Sequence, residues 1–337
     1  MHLRAFGIVV VCGLLTARRG AAADLDKYLP DDAQFVISVN LRQLIDSELF
    51  KQFGEKPAQK QLERGGQVEK ILDLIGLNPM KDLHQVTIAG PEAEQANKDV
   101  LVVIHGDLNP TKIGQAADAF ATSNPDALTI EKTSEATLYV VHQDGKAVAY
   151  VAVPGSHVLL AAGTRERVLD AVAKHSGGRQ TKVSAGLKEL VGQINGKQSV
   201  WVAALVTDKI KNRLRKDQQS RKYSEQIDAV SGGLTITDSV KVNVNVHMST
   251  PAAAADLTAL LRFVVPFAGG MMANQPQAKD YAPLINEVTR SLKFTSEKKV
   301  AGVELLVSKQ LINKIMDAAQ HPPLQRVAPA PPGEKGQ

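Results

Sequence analysis

The chain carries one dense run of cationic side chains: Lys209, Lys211, Arg213, Arg215, Lys216, Arg221 and Lys222, set against Asp208 and Asp217. On a helix beginning at Asp208, Ile210 and Leu214 give this charge an apolar edge. Such a helix suits screened, salt-dependent contact with anionic lipid or a polyanionic wall polymer. Exposed helices are often basic with no such role, and this one has no aromatic anchor before Tyr223. A second candidate is amide chemistry. In VKVNVNVHM, Lys241, Asn243, Asn245 and His247 alternate with valines, so a strand places them on one face. That stripe either grips a ligand by hydrogen bonds or is a solvated sheet face. A third candidate is the segment FAGGMMANQP, where Met271 and Met272 belong to a loop expected to admit a ligand.

Catalytic and metal-binding patterns are not evident in the sequence. The histidines at 84, 142, 157, 175 and 321 are scattered singly, with no HExxH, HxH or CxxC spacing. Ser156 and His157 are neighbours in a PGSH turn, which does not place them as nucleophile and base, and GxSxG is absent. His105, near the end of a strand, reads as a rim histidine with no partner carboxylate in view. Gly196-Lys197-Gln198-Ser199 faintly resembles a phosphate loop but leads into a strand, whereas a phosphate loop needs a following helix to present its N–H groups. The acidic pairs Asp31-Asp32 and Glu92/Glu94 stand beside prolines and read as solvated, since buried unpaired carboxylates are costly. The expectation is a non-enzymatic protein with no cofactor and no metal. A hydrolase with no recognisable motif is the enzymatic alternative.

The elements that hold these residues follow from local pattern. Phe35 to Val39 is a short β-branched strand, and the apolar spacing from Leu41 to Phe53 is helical. A helix is expected over Gln61 to Ile75, then a strand at Val86 to Ala89 and a polar loop, PEAEQANK. In KDVLVVIHGDLNPTKIGQAADAF a strand leads to Asn109 and Pro110, a capping residue followed by proline at the first helical position. From Leu128 the pattern is a meander whose joints are Asp144-Gly145, suited to a type I′ turn, and Pro154-Gly155, suited to type II. Thr164 is placed to cap RERVLDAVAKH. Leu257 to Met272, LTALLRFVVPFAGGMM, is the most apolar stretch after the N-terminus. Arg262 and Pro266 argue against a membrane span, and the spacing predicts a buried helix ending at Val265, or a mobile lip over a pocket.

Much of this order recurs. Shifting by 141 positions lays Pro251 on Pro110, Thr250 on Asn109, and Val242, Val244 and Val246 on Leu101, Val103 and His105. Trp201 to Leu205 corresponds to Phe35 to Val39, Leu234 to Thr237 to Val86 to Ala89, and KQLINKIMDA after Ser308 to RERVLDAV. The fold class is therefore α+β, with antiparallel sheets, helices packed on one face, and two related halves. The halves are assigned to 24–178, which includes the meander, and 179–320. Residues 321–337, HPPLQRVAPAPPGEKGQ, are Pro-rich and read as a disordered tail.

At 337 residues and 44% hydrophobic content the chain can bury a sizeable core. Residues 1–23 read as a secretory signal: Arg4, an apolar run AFGIVVVCGLL, and Ala21-Ala22-Ala23 before Asp24. Cleavage there removes Cys12, the single cysteine, and leaves neither disulfides nor thiol chemistry. It also removes Arg4, Arg18 and Arg19, so 40 basic residues become 37 against 35 acidic, a net charge of +2. That near-neutrality gives no reason to expect a nucleic-acid partner.

YLPDDAQFVISVNLRQLIDSELFKQF, GLNPMKDLHQVTIAG, KDVLVVIHGDLNPTKI and the meander leading to GTRERVLDAVAK together resemble a family of exported bacterial proteins of unknown function with a duplicated α+β unit. The resemblance covers most of residues 25–175 and, more weakly, the second half. It implies export and the repeat, and it carries no catalytic residues. The combined expectation is an extracytoplasmic, periplasmic or secreted protein with no membrane span after the signal, binding an unidentified envelope partner or ligand. The alternative is a surface-associated scaffold held by the basic helix.

Overall fold

A computed structural model describes residues 22–63, 77–91, 99–216, 221–275, 278 and 281–320. The expected signal segment apart from Ala22 and Ala23, most of the Gln61–Ile75 helix, the loop after Pro91 and the Pro-rich tail lie outside the described residues. Ala22 and Ala23 belong to the fold: Ala22 forms an antiparallel bridge with Asn195, and the Ala23 N–H donates to the Ile194 carbonyl at 2.9 Å.

The first half runs β1 (Phe35–Asn40), α1 (Leu41–Asp46), α2 (Glu55–Glu63), α3 (Pro79–Asp82), β2 (Leu83–Gly90), β3 (Leu101–Gly106), α4 (Pro110–Ser123), β4 (Leu128–Lys132), β5 (Thr137–Gln143), β6 (Lys146–Gly155), β7 (Val158–Ala162) and α5 (Arg165–His175). The second runs α6 (Ala185–Gly192), β8 (Val200–Leu205), α7 (Asp208–Lys216), β9 (Ile227–Ile236), β10 (Val240–Met248), α8 (Pro251–Ala273), α9 (Ala282–Ser291), β11 (Leu292–Glu297), β12 (Val300–Val307) and α10 (Lys309–Gln320).

Side chains short enough to reach their own backbone set the helix starts. Asn109 accepts from the Lys112 N–H at 3.0 Å and Thr250 from the Ala253 N–H at 3.2 Å, each followed by proline. Thr164 precedes α5 but makes no such bond, contrary to expectation. Asp144 and Gly145 adopt φ of 52° and 71°, the left-handed pair that a type I′ hairpin requires. At the next joint β6 continues through Gly155, so the turn falls on Ser156 and His157 rather than on Pro154-Gly155.

All strands form one antiparallel sheet of twelve, ordered β11-β12-β10-β9-β8-β1-β2-β3-β7-β6-β5-β4. Its seam is β1 against β8, with Phe35 opposite Ala204 and Ile37 opposite Val202. Outward from that seam the two halves repeat one order, β1-β2-β3-β7-β6 and β8-β9-β10-β12-β11; β5 and β4 extend the first.

The α+β class and antiparallel pairing are as expected, and the helices lie on both faces of the shared sheet. On the front, α5 buries Val168, Ala171 and Val172 against Leu101, Val103, Leu138 and Leu160. There too, α6 buries Leu187, Leu190 and Val191 against Val36, Trp201, Ala203 and Ala229. A strap from Ala23 to Ala33 crosses both clusters, placing Leu29 in one and Tyr28 in the other. On the back, α8 packs Ala253 and Ala254 against Met248, Val246 and Ala301, while Gly114 of α4 approaches the Tyr139 hydroxyl.

Candidate functional site: an uncovered apolar helix face

From Thr250 onward the sequence is rich in alanine and leucine, and the helix it starts does not stop at Val265. It continues through Pro266 to Ala273, where the Asn274 N–H and side-chain amide both cap the Gly270 carbonyl. The expected buried helix with a loop beyond is thus replaced by one long helix, and Met271 and Met272 belong to its last turn. Pro266 removes one N–H, and the carbonyl it leaves belongs to Arg262, one turn back.

One side of α8 is fixed to the sheet. Ala253, Ala254 and Thr258 are buried, the Thr258 hydroxyl lies 2.8 Å from the Ala254 carbonyl and 3.1 Å from that of Thr295, and Arg262 donates to the Phe294 carbonyl at 3.2 Å. Toward the far end Gly269 lets α9 approach: a Cβ there would stand 2.6 Å from the Thr289 hydroxyl. The other side is bare. Phe263 is 72% exposed, Phe267 60% and Met271 59%, with Leu260, Val264 and Met272 also exposed. The spacing 260, 263, 264, 267, 271 is that of a single helix face. The Phe263 and Phe267 rings stack on it, 6.2 Å apart and 6° from parallel. Between Asp256 and Lys279 the sequence has no acidic residue, and its one charge is Arg262.

The basic segment is shorter than expected as a helix, ending at Lys216; Arg221 and Lys222 follow on a single 3-10 turn. Part of its charge is matched, since Arg215 bonds Glu225 and Lys211 lies 4.0 Å from Asp228. Lys209, Arg213, Lys216, Arg221 and Lys222 are exposed. Tyr223 ties this segment to the root of α8, being buried among Met248, Ala253 and Ala254. The cations and the apolar face therefore belong to adjoining parts of the back of the sheet.

Asn243, Asn245 and His247 stand on the opposite face of the sheet from Met271 and Met272. They lie on the front, opposite Gly233, Ser231 and Ala229 of β9, whereas α8 lies behind. Asn243 accepts from the Gln198 amide, whose own carbonyl oxygen is buried with no partner among the described residues. His247 bonds the Ser231 hydroxyl at 2.9 Å, and burial holds its pKa below the ordinary histidine value, against Asp228 and Glu189.

His105 does have a carboxylate partner: its Nε2 is 2.5 Å from Asp26 of the strap. Tyr28, next along, lies between the His105 and His175 rings and bonds the latter through its hydroxyl at 2.9 Å. Burial, then nearby Lys27, lowers the His175 pKa. These contacts tie the strap to β3 and α5. The separation of about 80 residues between Asp26 and His105 left no local signal of the pair. Among the described residues no three His, Cys, Asp or Glu side chains are grouped to hold a metal ion.

No family model matches the chain, so the resemblance to an exported family is without that support, and no curated protein matches it. Among solved structures it is similar to crystal form I of TP0453, with 12% identity, a TM-score of 0.43, and coverage of 88% of this chain and 98% of that one.

Proposed function

We propose that this is an exported, non-enzymatic binding protein whose contact surface is the outward face of α8. The observation that carries the reading is the stacked Phe263–Phe267 pair at the centre of an uncovered apolar ridge. Large apolar side chains left in water forgo about 25 cal/mol for every Å² they could bury. A contiguous set of them, aromatic at its centre, has the composition of a contact surface. Export rests on the basic, apolar and small-residue order of residues 1–23.

The test is native mass spectrometry of the protein purified gently from its own host's envelope, alongside a Phe263→Ser, Phe267→Ser double variant. The expected result is an added mass on the wild type that the variant lacks. The same bare mass for both, or an identical adduct on both, removes α8 as the contact surface.

A further inference from the structure

We infer that the occupant of the α8 ridge is the surface of an anionic lipid bilayer, with the helix lying in the plane of the interface; this rests on α8 being the contact surface. The first support is the way the helix is held. At 23 residues it is long and apolar enough to cross a membrane by length and composition alone. Its first two turns are nevertheless fixed on the sheet through Ala253, Ala254 and the Thr258–Thr295 bond, and α9 closes on Gly269. Beyond Leu260 its outward side is open, which suits a helix resting on a membrane rather than spanning it. From Leu260 to Met272 that side runs about 18 Å, at 1.5 Å per residue.

The second support is charge. Arg262, held to the Phe294 carbonyl away from the ridge, is the single charged residue from 257 to 278, so the ridge itself carries no charge. At the root of α8, Tyr223 anchors Arg221 and Lys222, and the β11–β12 turn brings Lys298 and Lys299, whose carbonyl accepts from the Met248 N–H at 2.7 Å. Of the acids described at that end, Glu225 and Asp228 face Arg215 and Lys211 and Asp208 acts on Arg215, leaving Asp256 and Glu297. An apolar stripe flanked by a cationic excess matches a surface of acyl chains beneath anionic headgroups. The ridge is the convex side of one helix, and a fluid lipid layer can close around it without a preformed groove.

The experiment is co-sedimentation of the exported protein with vesicles of phosphatidylglycerol and phosphatidylcholine in equal parts, and with phosphatidylcholine alone. Wild type, Phe263→Ser/Phe267→Ser and Arg221→Glu/Lys222→Glu are compared; all four positions are exposed, and thermal melts verify that each variant folds. The expected result is binding to the anionic vesicles that falls about tenfold in the phenylalanine variant. The charge-reversed variant and the neutral vesicles should each show a several-fold loss. Because every variant keeps the same N-terminus, residues 1–23 cannot produce the difference. Equal binding by wild type and the phenylalanine variant, or none by wild type, overturns the inference. A dimer or a protein adduct that depends on Phe263 and Phe267, without vesicle binding, also overturns it and leaves α8 as the contact surface.

Discussion

Lys174 shows how single residues hold the strap. Its ammonium has no exposed surface and sits 2.7 Å from Asp170, 3.0 Å from Asp31 and 2.8 Å from the Leu29 carbonyl. Lys174→Met should cost about 3 kcal/mol in urea unfolding, because it removes the buried cation and leaves Asp31 and Asp170 with Arg179 alone and the Leu29 carbonyl without this donor. Burial alone would raise the Asp31 carboxyl, but the Lys182 N–H, Lys174 and Arg179 outweigh it and hold the pKa at about 2. Unfolded, the same group titrates near 3.9. Its contribution is thus complete above about pH 4 and is lost as pH falls toward 2. The urea midpoint should drop across that window, and Asp31→Asn should flatten the drop. The sequence showed Lys174 within a helical pattern and Asp31 in a polar turn. It could not show that chain reversal brings them together from 143 residues apart.

Two elements departed from their sequence pattern for identifiable reasons. A proline inside a helix costs roughly 3 kcal/mol, which is why Pro266 reads as an end. In α8 the bonds and packing of Thr258, Arg262 and Gly269 continue the helix past it. The repeat alignment, fixed on Pro110 and Pro251, was one residue out in the strand. Matching bulges set Gly106 against Met248, but two residues separate Gly106 from Asn109 and one separates Met248 from Thr250, so Val242, Val244 and Val246 point to the back while Leu101, Val103 and His105 point to the front. A slip of one reverses every side chain in a strand. Within α8 the two sides should respond oppositely to mutation. Thr258→Val should cost about 1 kcal/mol by removing a buried donor, whereas Phe263→Ser with Phe267→Ser should leave stability within about 0.5 kcal/mol. Chemical denaturation of both variants distinguishes a packed side from one kept for contact.

At the scale of the molecule, the duplicated order was legible because caps, prolines and strand lengths recur. The joining of both halves into one sheet was not, because the β1–β8 pairing leaves no mark in either strand beyond ordinary β-branched content. That seam makes the halves interdependent: separated, each would expose a central strand as an open edge. Residues 22–178 and 179–320 produced as separate chains should aggregate singly and form a one-to-one complex when coexpressed, as read by size-exclusion chromatography with light scattering. Two stable monomers would show the seam to be dispensable. The sheet also fixes which surfaces act together, since it carries the amide stripe in front and α8 behind. The most direct test of α8 as the contact surface uses the absence of any cysteine after Cys12. Met271→Cys and, as a control, Asp238→Cys would carry an environment-sensitive fluorophore, read with and without membranes from the host envelope. On binding, the label at 271 should shift to the blue and become protected from aqueous iodide while that at 238 stays accessible. A protein that binds those membranes with position 271 still open to iodide would contradict the account.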